Sequence, residues 1–390
     1  MNTRRIVVCG TGIVGLAAAL GLTKAGGQVT LLGPDMPVPP VRDDEYCPRV
    51  YAISPASQQF LEGLGVWAMM DASRLTPVEA MEVYGDASGK VVLRAWQAAL
   101  PILAWIVESS ELERVLRQAV QVFGISRQAD KFRELQAGVA ITESGKRLEA
   151  DLLVGADGAN SPVRAAAGIS HESKAYSDTG LVVHLTAQYP HQNTALQWFT
   201  ADGVLALLPL PDTAQGHQVS MVWSMPEAHA AQLQSMPENE RNAALELRLL
   251  EATGGRLGRL TVRSPLLGFP LFLEKSGMVA AGVALVGDAA HRVHPLAGQG
   301  LNLGLGDVEK LIDVVRDCEP YRGIGEPRVL NRYRRARAEA VMAMGLATDG
   351  LYRLFASQAA PVVLARNVGM RLVDKLPMLK RFLISGASGG

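Results

Sequence analysis

A chain of 390 residues can bury a large core and hold two or three structural units. Its 38 basic residues balance 38 acidic ones, so no net field draws it to nucleic acid. Three cysteines, Cys9, Cys47 and Cys318, stand far apart and are odd in number, which fits a reduced cytoplasmic setting and offers no metal-ligand spacing.

The amino end reads strand, turn, helix, strand. The apolar run Ile6–Cys9 enters Gly10-Thr-Gly12-Ile13-Val14-Gly15, an Ala/Leu-rich helix follows, and Gln28–Leu32 forms the second strand. In this context G-x-G-x-x-G is a dinucleotide-binding corner: the first glycine turns the chain, the second admits a pyrophosphate, the third lets helix and strand pack closely. Ile6–Thr23 is uncharged and follows Arg4-Arg5, as a secretory signal would. The glycine spacing, the following strand and the lack of a cleavage site favour the corner. An acidic residue usually ends the second strand to hold the adenosine ribose. Here that position is Gly33, which leaves Asp35 as the substitute two residues on.

Further along, Ser54–Leu64 is expected to be a helix stopped at Gly65. Met81–Tyr84 and Val91–Trp96 read as strands around an Asp86–Gly89 turn. Glu108–Phe123 is amphipathic, with Leu112, Val115, Leu116, Ala119 and Val120 on one face. The strand Leu152–Val154 then runs into Gly155-Ala-Asp157-Gly158, with Ser161 placed to cap a helix opened by Pro162. Arg164 sits in that helix's first turn, where the dipole disfavours a cation, so an anionic partner is expected for it. From Leu181 to Leu273 the period shifts towards two, in Leu181–Ala187, Leu196–Phe199, Val204–Leu210, Gln218–Ser224 and Leu260–Ser264, with Glu238–Ala252 a helix crossing the sheet.

The most informative segment follows. The apolar run Val279–Val286 ends in Gly287-Asp288, and Pro295, Gly298, Gly300, Asn302 and Gly304 lead into a helix. A buried strand that delivers one carboxylate, followed by free N–H groups at a helix start, suits a polyhydroxylated, partly anionic ligand. The chain is then expected to be helical to its end, interrupted near Tyr321–Pro327. Pro361–Ile384 mixes apolar and basic residues and breaks at Leu376-Pro377; packing on the rest of the chain is the favoured reading, with lying on an anionic membrane as the alternative.

Together, Gly10–Gly15, Arg49-Val-Tyr-Ala-Ile-Ser54, Gly155-Ala-Asp-Gly-Ala-Asn-Ser, Gly287-Asp-Ala-Ala-His through Gly298-Gln-Gly-Leu-Asn-Leu-Gly, and Asp374–Leu383 resemble the group A flavoprotein monooxygenases of para-hydroxybenzoate hydroxylase type. The wording is most similar to the ubiquinone-biosynthesis hydroxylase family. The resemblance implies an α/β fold in which a Rossmann-like FAD-binding domain is interleaved with an antiparallel β-sheet substrate domain, plus C-terminal helices. Expected boundaries are 1–75, 100–178 and 275–325 for the FAD-binding domain, 76–99 and 179–274 for the substrate domain, and 326–390 for the helical region.

It also implies roles. FAD is to be held by Gly10, Gly12, Ile13, Val14, Gly15, Asp35, Arg49, Asp157, Gly158, Arg164, Gly287, Asp288, Gly298, Gly300, Leu301 and Asn302. Gly298, Gln299 and Gly300 are to bring N–H groups to the flavin pyrimidine edge, and Pro295 to close the space beside the ring. The expected substrate wall is Trp198, Leu205, Leu207, Pro209, Met221 and Trp223 on the sheet, with Phe199 beside them and Phe269-Pro270 near the flavin.

The implied reaction hydroxylates an aromatic ring, that of a lipid-tailed phenol, through a flavin hydroperoxide formed with O2. NADPH or NADH docks transiently as electron donor. Cytoplasmic or peripheral membrane placement, association with a ubiquinone-biosynthesis complex and a homo-oligomer belong to the same picture. Two alternatives stay open: a soluble phenol or benzoate hydroxylase, and a flavin-retaining non-catalytic component of such a complex. No metal is expected, since His291 and His294 lack acidic or cysteine partners at ligand spacing. His291 is to support the helix start, and His184 and His217 are candidate proton partners for a phenol.

Overall fold

The computed structural model describes residues 4–35, 45–85, 89–293, 298–356, 366, 369–370 and 372–388. A six-stranded sheet carries the dinucleotide corner, in the order Val279–Ala280, Val283–Leu285, Leu152–Gly155, Arg5–Cys9, Gln28–Leu32, Ser126–Gln128. All neighbours run parallel except the first two, which pair antiparallel. Parallel strands need both faces covered, and the Ile6–Cys9 and Leu152–Val154 runs meet that need by being buried throughout. The helix Ile13–Lys24 packs against both Ser109–Val122 and Gly300–Arg316.

Register does the rest. Cys9 lies opposite Gly155, and Gly155 opposite Leu285. The three glycine corners, far apart in sequence, therefore leave the sheet side by side at the carboxyl ends of adjacent strands, the usual place for a ligand in an open α/β sheet.

A nine-stranded sheet stands beside it. Its main path is His291–Arg292, Leu267–Ser276, His171–Ala187, Gly216–Pro226, Gly203–Thr213, Thr194–Thr200, Ala80–Tyr84, Lys90–Arg94, and Leu260–Val262 adds to His171–Ala187. It is mixed, not purely antiparallel as expected, because Thr194–Thr200 runs parallel to Ala80–Tyr84. The strand His171–Ala187 is a single 17-residue element with an irregularity between Ala175 and Thr179, where Ser177 takes φ 58°.

Capping and turn chemistry follow the sequence closely. The helix Pro55–Leu64 begins at Ser54, whose side chain accepts from the Ser57 N–H, and it ends at Gly65 with φ 79°. The helix Glu227–Ser235, the strand Leu267–Ser276 and a small sheet of Phe132–Gln136, Val139–Thr142 and Arg147–Glu149 add to the expected elements. The long helix Pro327–Ala356 and the helix Pro377–Ser388 lie in the carboxy-terminal part of the chain. The proline at 377 opens that helix, as the Leu376-Pro377 break suggested. Among the described residues no helix is long and apolar enough to cross a membrane.

Candidate active site

The three corners and the large sheet enclose one chamber of about 590 Å³. Gly12, Ile13, Val14, Arg49, Gly158, Asp288 and Gly298–Leu301 line it on the corner side. Phe269 and Pro270 line it from the sheet, as expected, and Leu383 and Ile384 of the last helix reach it as well.

Each corner is shaped by close backbone contact. Gly10 has φ 122°, and a Cβ there would lie 2.1 Å from the Ala156 carbonyl oxygen; one on Gly15 would lie 2.0 Å from the Gly10 oxygen. These two glycines lock the corners together and do not line the chamber. Gly12 and Gly300 differ, since a Cβ on either meets nothing within 4 Å and would project into open space. Both sit at helix starts that have no side-chain cap and no acidic residue in the first turn. Two sets of free N–H groups are thus available to an anionic or electron-rich ligand. Asp288 is the exposed residue in an otherwise buried stretch from Val283 to His291. Such a carboxylate suits the ribityl hydroxyls of FAD. The donor set fits the cofactor: N–H groups for the pyrophosphate and the pyrimidine edge, and a carboxylate for the polyol.

Several expected ligands act one step removed. Asn302 accepts from the Ser54 N–H at 3.0 Å and donates to the Ala52 carbonyl at 2.8 Å, tying the Val50–Ile53 strand to the helix start. Arg164 is buried and donates to the carbonyls of Ala289 and Ala159 at 2.9 and 2.6 Å. Its partners are backbone oxygens instead of the expected anion, and they brace the second corner against the third. Asp157 accepts from the Val163 N–H at 3.0 Å, and burial raises its carboxyl above the usual range against the pull of Ser161. Asp35 is exposed and ion-paired with Arg127, so it does not reach the chamber. A side chain at position 33 would crowd Thr11, whose Cγ2 lies 2.7 Å from where a Gly33 Cβ would stand. Pro295 and His294 lie outside the described residues.

A buried polar cluster that the sequence did not announce holds the third corner. Asp307 is fully buried and accepts from the Gly287 N–H at 3.0 Å; its carboxylate meets His291 Nε2 at 2.7 Å and Arg337 Nε at 2.7 Å. Arg337 also donates to the Leu303 carbonyl, and the Tyr333 hydroxyl to the Leu285 carbonyl. Instead of the helix start, His291 braces the Gly287 corner through Asp307, which lies further along the helix, and no group of three or more metal-ligating side chains is found among the described residues.

The expected substrate wall is corrected by one residue of register. Trp198, Leu205, Leu207, Met221 and Trp223 point away from the chamber and pack with Leu181 and Val183 against Ala230, Leu233, Leu245 and Leu249 of the two helices behind the sheet. Pro209 is buried and does not line the chamber, and Phe199 stacks on Phe355 with centroids 3.5 Å apart. Side chains alternate along a strand, so the opposite face, Val182, Gln197, Ala206, Leu208, Val222 and Ser224, forms the wall. Bulky rings suit the sheet–helix core, whereas small residues leave a chamber open. The other parity of the same strands would have found these residues.

His184 is buried, shares a 2.8 Å hydrogen bond with the Cys47 carbonyl, and burial pushes its pKa down. His217 pairs with Asp212 at 2.8 Å, and neither histidine lines the chamber.

Comparison with known proteins agrees with this geometry. Residues 3–347 match the family described as FAD binding domain. The 3-demethoxyubiquinol 3-hydroxylase of Escherichia coli is 35% identical over 98% of both chains. The mitochondrial ubiquinone biosynthesis monooxygenase of Homo sapiens is 30% identical over 98% of this chain and 92% of its own. In fold, the p-nitrophenol 4-monooxygenase of Pseudomonas putida superimposes with TM-score 0.77 at 17% identity, covering 100% of this chain and 99% of its own. A probable FAD-dependent monooxygenase of Pseudomonas aeruginosa gives 0.76 at 21% identity, over 95% and 100%. The chain belongs to this FAD-binding family and is a flavoprotein monooxygenase of the aromatic-hydroxylase kind.

Proposed function

We propose that the protein hydroxylates the ring of a lipid-tailed phenol in ubiquinone biosynthesis, with NADPH or NADH as the electron donor. The observation that carries this reading is the continuity of the chamber: it runs from the FAD-shaped corners along an apolar sheet face to Leu383 and Ile384. Beyond the corners that FAD would fill, the lining stays apolar along the sheet as far as Leu383 and Ile384, which suits the start of an apolar tail. The names of the relatives support the same substrate class. Peripheral contact with the membrane follows from such a substrate, and the last helix exposes Met378, Leu379 and Leu383 where it meets the chamber.

Bound and reduced, FAD supplies an electrophilic oxygen taken from O2. The chain's own residues do the rest. The free N–H groups at Gly298–Leu301 favour negative charge on the pyrimidine edge, and Asp288 anchors the ribityl chain. Val182, Ala206, Val222 and Leu271 exclude water from the reacting edge. Tyr51 lines the chamber, and burial raises its pKa against the opposing pull of Arg49, so it stays protonated at neutral pH and serves as a donor, not a base.

Coupling of NAD(P)H oxidation to product distinguishes the substrate classes. A prenylated phenol should give hydroxylated product nearly equal to the NAD(P)H consumed, whereas untailed phenol should release mainly hydrogen peroxide. Tight coupling with untailed phenol would overturn the lipid-tailed assignment.

A further inference from the structure

Along the sheet face that borders the chamber the lining side chains are apolar except for Gln197, Ser224 and, on the edge strand, Arg292, which is paired with Glu274. Gln197 is 7% exposed and Ser224 4%. Neither side chain has a hydrogen-bond partner among the described residues. The contrast with Gln218 in the same sheet is direct, since that buried amide donates to Thr186 Oγ1 at 3.2 Å and to the Gly216 carbonyl at 3.0 Å. Both polar ends open onto the chamber instead of being sealed in the core, so a polar atom of a ligand can take the place of water there.

Register places this amide well. Gln197 lies opposite Ala206, Ala206 opposite Val222, and Val222 opposite Val182. The alanine beside Gln197 leaves space over the sheet for a flat ring. Two residues beyond Val222, Ser224 faces Val204 and Gly180, the latter lacking a side chain. An amide both donates and accepts, so it can take a phenol O–H or bond to a ring ether or carbonyl oxygen.

We propose that Gln197, assisted by Ser224, grips an oxygen substituent on the substrate ring and thereby fixes which ring carbon faces the flavin. This assignment rests on the aromatic-hydroxylase reading and extends it to a named specificity determinant. A site built to bond a hydroxyl rejects the analogue that lacks it, because its own polar group is then stranded.

The test uses the FAD-loaded full chain, with ortho-prenylphenol and prenylbenzene as probes. Binding is read from the change each causes in the visible flavin spectrum. Wild type should bind the phenol at least about tenfold more tightly than the hydrocarbon. Gln197→Leu should bind both equally, Gln197→Glu should keep part of the preference through its acceptor oxygens, and Ser224→Ala should reduce it less. Gln197→Met gives the same readout should leucine lower FAD content. A variant with full FAD content and an unchanged preference overturns the role of Gln197 while leaving the hydroxylase reading intact. Failure of wild type to bind or hydroxylate either probe overturns that reading, and this inference with it.

Discussion

Replacing Gly12 with alanine is expected to leave the chain folded and to weaken FAD binding by about a hundredfold, each tenfold step being ~1.4 kcal/mol. Gly12 has φ −78°, open to any residue, and a methyl group there touches no protein atom within 4 Å. Its only effect is to fill the space where a pyrophosphate would meet the helix N–H groups. Gly10→Ala is the necessary contrast. With φ 122° and a carbonyl 2.1 Å from the new Cβ, it must displace the Ala156 corner, so both folding and FAD binding should fail. Flavin fluorescence titration with thermal unfolding of each variant separates the two outcomes. Wild-type affinity in Gly12→Ala would remove the pyrophosphate from this corner.

Asp307→Ala is expected to cost ~3–5 kcal/mol of stability, because it strands the buried Arg337 guanidinium and frees the Gly287 corner that presents Asp288. Burial alone would raise the Asp307 carboxyl. His291 and Arg337 outweigh that effect and hold it below the ordinary aspartate value of 3.8. A carboxyl with a depressed folded-state pKa contributes stability that is fully present above the unfolded value and lost as pH falls through the folded one. Wild type should therefore lose this contribution below about pH 4, and Asp307→Ala should lack that part of the acid slope. Urea unfolding of FAD-loaded protein across pH 3 to 7 measures both quantities. Equal stability in the two proteins at neutral pH would contradict the bracing role.

Much of this was legible because local backbone chemistry writes itself into sequence. Gly10 and Gly15 answer close backbone contacts, Gly65 a left-handed turn and the Ser54 cap an unpaired N–H, and all stand where the pattern places them. Sheet parity was not legible in the same way. Alternation says that two faces exist, but both faces of these strands are apolar, and the tryptophans drew attention to the face that packs on helices. The chamber wall is marked instead by small residues, Gly180, Ala206 and Ser224, which register alone brings together. Asp307 was hidden for a related reason. It lies 16 residues from His291 and 30 from Arg337, with no local motif to signal that one carboxylate serves both. Arg164 was correctly singled out as unusual, yet its need was met by carbonyl oxygens that only the adjacency of the corners supplies.

The oxygen transfer itself can be followed directly by supplying isotopically labelled O2 to FAD-loaded protein with NADPH or NADH and a prenylated phenol. Mass analysis should find one labelled oxygen atom in the ring hydroxyl of the product. Label recovered only in hydrogen peroxide, or a hydroxylated ring carrying oxygen from water, would contradict the central claim that this chamber delivers oxygen from O2 to an aromatic ring.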